Sequence, residues 1–235
     1  MAIQARRPFA LPCSHILRAV WLSGFVFCLC MAGLTEAHAL DPMTKLASKR
    51  YGKTAAATVE AWRAMIDETR TQPDSIKLRR ANDFINERIR FESDLVVWQQ
   101  TDYWATPLEL FGKQAGDCED FTIAKYATLR AQGIPAEKLR LVYVHARIDA
   151  ASARPGQAHM VLSYYETPTA EPLILDNLVG EILSAGHRPD LSPIFSFNHE
   201  GPREQAPPSP ADPTVRLSRW RGVLARMRRE GLVLS

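Results

Sequence analysis

The first 39 residues constrain the fold most, because they must be subtracted before the remainder is read as a domain. Arg6, Arg7 and Arg18 lead into an apolar run from Ala19 to Ala32, and Ala37-His38-Ala39 supplies a small-x-small cleavage site. That order is the pattern of a signal peptide cut after Ala39. A run of roughly 14 apolar residues falls short of the ~20 that a membrane span needs. Lipidation at Cys30 is disfavoured as well, since Phe27-Cys28-Leu29 lacks the small residues that precede a lipidated cysteine. Cleavage removes Cys13, Cys28 and Cys30 and leaves Cys118 alone. An exported protein normally pairs its cysteines, so a lone one is either reactive or reserved for another chain. The 196 residues that remain are enough for one domain, 40–235, with a hydrophobic core.

That remainder carries 26 basic and 25 acidic side chains, a balance that argues against nucleic acid as a partner. The Arg cluster at 216, 219, 221, 226, 228 and 229 reads as the solvated face of a helix. No second apolar span or internal repeat is present, so the mature protein is expected to be soluble and exported.

Hydrophobic spacing places helices first. Within 41–70, Trp62, Met65, Ile66 and Thr69 share one face. After Pro73, with Asp74 or Ser75 as N-cap, Leu78, Phe84, Ile85 and Ile89 mark a second helix. An aromatic loop, Trp98 to Pro107, precedes a helix from Cys118 to Gln132 with Gly133 as its C′ residue. Leu139–Ile148, His159–Tyr165 and Pro172–Leu178 read as strands, with a turn or hairpin link between Asp149 and Ala158. A Pro-rich stretch from Gly201 to Pro213 then leads to an amphipathic helix, Val215–Arg229. Helices followed by neighbouring strands predict an α+β domain with an antiparallel sheet.

Cys118 opens its helix, where exposed N–H groups and the helix dipole lower a thiol pKa. Asp117, Glu119 and Asp120 push the other way, so a cation is needed nearby: a protonated His159 or a metal ion. Oxygen ligands on an exported protein favour Ca²⁺, and one cysteine cannot build a structural zinc site. His159 opens a strand and Asp176 closes the next. Cys118, His159 and Asp176 therefore supply a thiol nucleophile, its base and the base's orienter, with Asn177 as the orienter if the register slips by one. His145, His187 and His199 are weaker rivals.

Gly116-Asp117-Cys118-Glu119-Asp120-Phe121, Ala158-His159-Met160-Val161-Leu162 and Leu175-Asp176-Asn177-Leu178 together resemble the bacterial transglutaminase-like cysteine proteases. Thr106-Pro107-Leu108-Glu109, Phe195-Ser196-Phe197-Asn198 and the helix from Trp220 extend the likeness. The resemblance implies a papain/transglutaminase-like core with Cys118 as nucleophile, His159 as general base and acid, and Asp176 as orienter. It implies calcium on Asp117 and Glu119, with Asp120 beside them. It further implies a large surface adhesin as substrate, cut between two alanines near its N-terminus. The implied regulator is an inner-membrane cyclic di-GMP receptor that sequesters the protease.

Two other readings fit the same residues. A transglutaminase or amidase shares the thioester, and a silent calcium-dependent binding module would use only the acidic loop. Trp98, Gln99 and Trp104 are side-chain candidates to join the Cys118 N–H in an oxyanion hole.

Overall fold

The computed structural model describes residues 42–147, 156–198, 201–203 and 213–234. The signal segment, the link from Asp149 to Pro155, His199 and most of the Pro-rich stretch lie outside the described residues. Among those described, no helix is long and apolar enough to cross a membrane.

The N-terminal half is helical. The expected first helix is two, α1 (Pro42–Tyr51) and α2 (Lys53–Thr69), because Gly52 between them takes a positive φ of 89°. Trp62, Met65, Ile66 and Thr69 are all buried, as their spacing predicts. Helix α3 (Asp74–Arg88) has Pro73 as its N-cap; Asp74 instead accepts from Tyr164 and Lys138, tying the helix to the sheet. Short α4 (Asp94–Trp98) and α5 (Pro107–Lys113) bracket the aromatic loop. Helix α5 starts in what reads from sequence as loop, because Thr106 and Glu109 form a reciprocal capping box. A two-stranded parallel ladder pairs β1 (Arg90–Phe91) with β2 (Ala115–Gly116) and delivers the chain to α6 (Cys118–Ala131). Gly133, at φ 89°, ends α6: its N–H bonds Arg130 O, and that of Ile134 bonds Leu129 O.

Six antiparallel strands follow, in the order β6-β5-β4-β3-β7-β8. They are β3 (Leu139–Ala146), β4 (Gln157–Tyr164), β5 (Leu173–Leu175), β6 (Leu183–Ser184), β7 (Leu191–Asn198) and β8 (Gly201–Arg203). The third expected strand is shorter than its apolar run, so Asp176 lies just past β5 instead of closing it. Leu141, Tyr143, Met160, Leu162, Tyr164, Leu175 and Phe197 face the helices. The alternate residues Val142, Val144, Val161 and Ile174 form a separate cluster, as a period of two requires.

The C-terminal helix α7 (Pro213–Arg229) packs by Trp220, which sits edge-on to Tyr126 and Phe197 and donates from Nε1 to Asn198 O. Its arginines are not simply a solvated face. Arg219 pairs with Asp102, and Arg226 bonds Glu109 Oε2 at 3.4 Å and the Trp104 carbonyl. Burying the apolar stripe brings these two side chains onto the aromatic loop.

Candidate active site

Gly116 brings the chain into α6 through a space too small for any other residue. A Cβ there would lie 2.5 Å from Asp120 Oδ2 and 2.7 Å from Leu110 Cδ1. Asp117 is the N-cap, with extended backbone, and Cys118 is the first helical residue. The half-buried thiol donates to Glu119 Oε2 at 2.8 Å, and the backbone of Met160 hydrogen-bonds the sulfur. Burial pushes the Cys118 pKa well up, and the Glu119 carboxylate, its hydrogen bond and Asp117 push it further. Only the Met160 contact opposes them. Thr122, one turn along α6, donates to Met160 O at 3.1 Å, so the start of the helix is pinned to β4.

His159 precedes Met160, opposite Val144 on β3. Its Nε2 lies 2.7 Å from Asp176 Oδ1, and both side chains are buried. Asp176 Oδ1 also accepts from Leu178 N, while Oδ2 accepts from Arg188 Nη2 at 2.7 Å. Burial alone would raise the Asp176 pKa, but the bonds from His159, Arg188 and Leu178 outweigh it and hold the carboxyl at about 2. An ionised Asp176 only accepts, so His159 Nε2 carries a hydrogen and donates it to Oδ1. Asn86 Nδ2 donates to Asp176 O at 2.8 Å, and Asn82 Nδ2 to Gly180 O at 2.7 Å, so α3 anchors the turn after β5.

Asp176, not Asn177, therefore meets the ring; neither polar atom of the Asn177 side chain has a hydrogen-bond partner. Of the rival histidines, His145 is exposed on β3 and His187 bonds Ser184 in a 3₁₀ turn. Arg188 escaped the reading of the sequence, where it is one more arginine in a loop.

The expected metal residues fall into two overlapping groups. Asp117, Cys118 and Glu119 offer ligand atoms within 4.8 Å of one another, and so do Asp94, Asp117 and Asp120. The second group includes Asp94, from α4, which no motif marks. Asp94 Oδ1, Asp117 Oδ1 and Asp120 Oδ2 are each buried without a hydrogen-bond partner. Three such carboxylates clustered together have no cation bonded to these oxygens, and burial cannot tolerate all three ionised. Desolvation, then repulsion from Glu119, Asp120 and Asp94, raises Asp117 to about 9; burial raises Asp120 well above the carboxylate range despite a bond from Ala105 N. Asp94 rises to about 6, burial again the largest cause, despite a bond from Tyr103 N. A hard divalent cation fits this all-oxygen set, and its charge would keep all three carboxylates ionised.

The other oxygens of Asp94 and Asp120 take backbone N–H groups of the aromatic loop, Tyr103 N and Ala105 N. Trp104 Nε1 donates to Asp102 and is thus committed elsewhere, whereas Trp98 Nε1 is buried without a partner.

A family model of bacterial transglutaminase-like cysteine proteinases matches residues 42–189. No curated protein matches the chain. Among solved structures, LapG of Legionella pneumophila is 38% identical, with a TM-score of 0.67, covering 81% of this chain and 98% of that one. An EGTA-treated form of that LapG aligns with a TM-score of 0.68 at 38% identity, covering 81% and 98% of the two chains. A calcium-bound form aligns at 0.65 and 37%, covering 81% and 99%. The mixed helical and antiparallel architecture is accordingly transglutaminase-like.

Proposed function

Since the chain belongs to the bacterial transglutaminase-like cysteine proteinases, we propose that it is a calcium-dependent periplasmic endopeptidase. Its substrate on this reading is a large surface adhesin, cut at a di-alanine site near its N-terminus to release cells from a biofilm. An inner-membrane cyclic di-GMP receptor would hold the protease when adhesion is wanted. The observation that carries the catalytic part is the buried bond from His159 on β4 to Asp176 just past β5, with the Cys118 sulfur against the residue after His159, Met160.

His159 Nδ1 takes the thiol proton and the sulfur attacks the scissile carbonyl carbon. The imidazolium, steadied by ionised Asp176, then protonates the departing amine as the C–N bond breaks. His159 next removes a proton from water, which attacks the thioester carbonyl; the carboxylate product leaves and the thiol regains its proton. Arg188 positions Asp176 and touches no reacting atom. Calcium on Asp94, Asp117 and Asp120, with Glu119 alongside, would supply positive charge beside the thiol's helix. The Cys118 N–H and Trp98 Nε1 are the donors offered to the oxyanion.

The test uses purified protein and an adhesin fragment spanning the di-alanine site. Wild-type protein with calcium should give two fragments, and Cys118→Ala none. Fragment release by Cys118→Ala would reject the nucleophile. Covalent capture of a labelled amine without cleavage would replace the protease with a transglutaminase.

A further inference from the structure

Two segments of the chain carry cations and no carboxylate. Residues 42–59 hold Lys45, Lys49, Arg50 and Lys53, and residues 213–229 hold six arginines. The rest of residues 40–235 carries 16 basic and 25 acidic side chains, so a chain that is nearly neutral as a whole is strongly polarised. The fold joins the two segments at their ends. Arg50, in the last turn of α1, donates from Nη1 to Oε1 of Glu230, the residue after α7, at 3.2 Å. Glu230 is buried in that pair while Arg50 stays half-exposed, so the junction turns its positive member to solvent. Lys45 and Lys49, one turn apart on α1, are exposed, as are Arg221, Arg228 and Arg229 on α7. Complementing the helix dipole accounts for cations in the two last turns. It does not account for Lys45 or Arg221, nor for the lack of acids along both segments.

We infer that the joined ends of α1 and α7 are a docking face for the anionic head groups of a phospholipid bilayer. Charge complementarity makes the partner anionic. The lack of an apolar centre makes it a bilayer surface and not a folded protein, because a protein interface surrounds a buried apolar core. Among the described residues, Phe91, Leu95, Val96, Leu178 and Val233 are the large apolar side chains that are exposed, and only Val233 lies beside these helices. Long exposed cations with a single aliphatic beside them suit a plane of phosphates.

The inference is independent of the protease reading, so its test uses the exported protein carrying Cys118→Ala. EGTA is present, so that calcium cannot bridge protein and lipid. At about 0.1 M salt, vesicles with about one-third phosphatidylglycerol should bind at least roughly tenfold more tightly than pure phosphatidylcholine vesicles, and about 0.5 M salt should abolish the difference. Each cation at an anionic surface strengthens binding about fivefold, so Lys49→Glu with Arg228→Glu should weaken it at least roughly tenfold. Lys45→Glu with Arg221→Glu, a second pair on the same two helices, should do the same. Arg79→Glu with Arg147→Glu alters the net charge equally at exposed positions elsewhere and should leave binding within about threefold. Equal binding to both kinds of vesicle, or an equal loss in the Arg79 and Arg147 pair, overturns the face. Soluble polyglutamate that displaces the vesicles at equal charge overturns the bilayer and assigns the face to an acidic chain.

Discussion

Arg188→Met tests whether Asp176 is held ionised by the arginine behind it. Asp176 sits at about 2 although burial pushes it up, against an ordinary value of 3.8. At 1.36 kcal/mol per unit, that difference amounts to about 2 kcal/mol of folding stability. The folded value is the depressed one, so this stability is complete above pH 3.8 and disappears as pH falls toward 2. Methionine keeps an unbranched apolar stem and removes the Nη2 bond to Asp176. The pull of burial then acts against fewer donors, the Asp176 carboxyl rises, and the acid-side loss of stability shrinks. At neutral pH, breaking one partner of a buried ion pair costs about 3–5 kcal/mol. Asp190, partly solvated, should add little to that. Urea unfolding followed by tryptophan fluorescence at pH 7, 5 and 3 measures both effects. In the Asp176→Asn background, the cost of Arg188→Met should fall by about 0.5–3 kcal/mol, the range found for directly coupled neighbours. Equal acid slopes for wild type and variant, with additive costs in the double variant, would refute the reasoning.

Three further outcomes follow from the same geometry. Gly116→Ala puts a methyl group 2.5 Å from Asp120 Oδ2 and should weaken calcium binding about 10–100-fold by calorimetry; unchanged affinity would mean that Asp120 is not a ligand. Calcium at 100 times its dissociation constant should stabilise the protein by about 2.7 kcal/mol in urea titrations, and Asp94→Asn should remove most of that gain. If Asp94→Asn responds to calcium like wild type, the cation sits with Glu119 instead. Asp176→Asn should lower kcat roughly 10³- to 10⁴-fold with little change in KM, because it frees the imidazole to adopt the wrong tautomer; a fall below tenfold would remove Asp176 from the triad.

The parts of this fold that depend on neighbours in the chain were legible from sequence. Trp62, Met65, Ile66 and Thr69 repeat at helical spacing and are buried, and Gly133 ends α6 where a left-handed residue is required. Cys118, His159 and Asp176 sit in short motifs, and the fold brings the last two within 2.7 Å of each other. What stayed hidden depends on distant pairing. Asp94 looks like an ordinary acidic start to a five-residue helix, and only the fold brings it against Asp117 and Asp120. Arg188 carries no pattern, yet its guanidinium fixes the carboxylate that holds His159. Strand β7 escaped assignment because Pro193 interrupts its alternation, and the ladder to β3 accommodates it by shifting register beyond Tyr143.

The arginines of α7 connect the C-terminal helix to the acidic cluster beside Cys118 through the aromatic loop. Asp94 and Asp120 are oriented by Tyr103 N and Ala105 N, so their placement is only as firm as the aromatic loop. That loop is held at one end by the Thr106–Glu109 capping box and from above by Arg219 on Asp102 and Arg226 on the Trp104 carbonyl. Trp220, buried between Tyr126 and Phe197, fixes the helix that presents both arginines. A loop strapped in this way pre-orients two of the three carboxylates, and pre-orientation raises affinity by reducing what binding must order. Removing Arg226 should therefore lower calcium affinity although it lies outside both acidic groups, whereas an exposed arginine such as Arg221 should not.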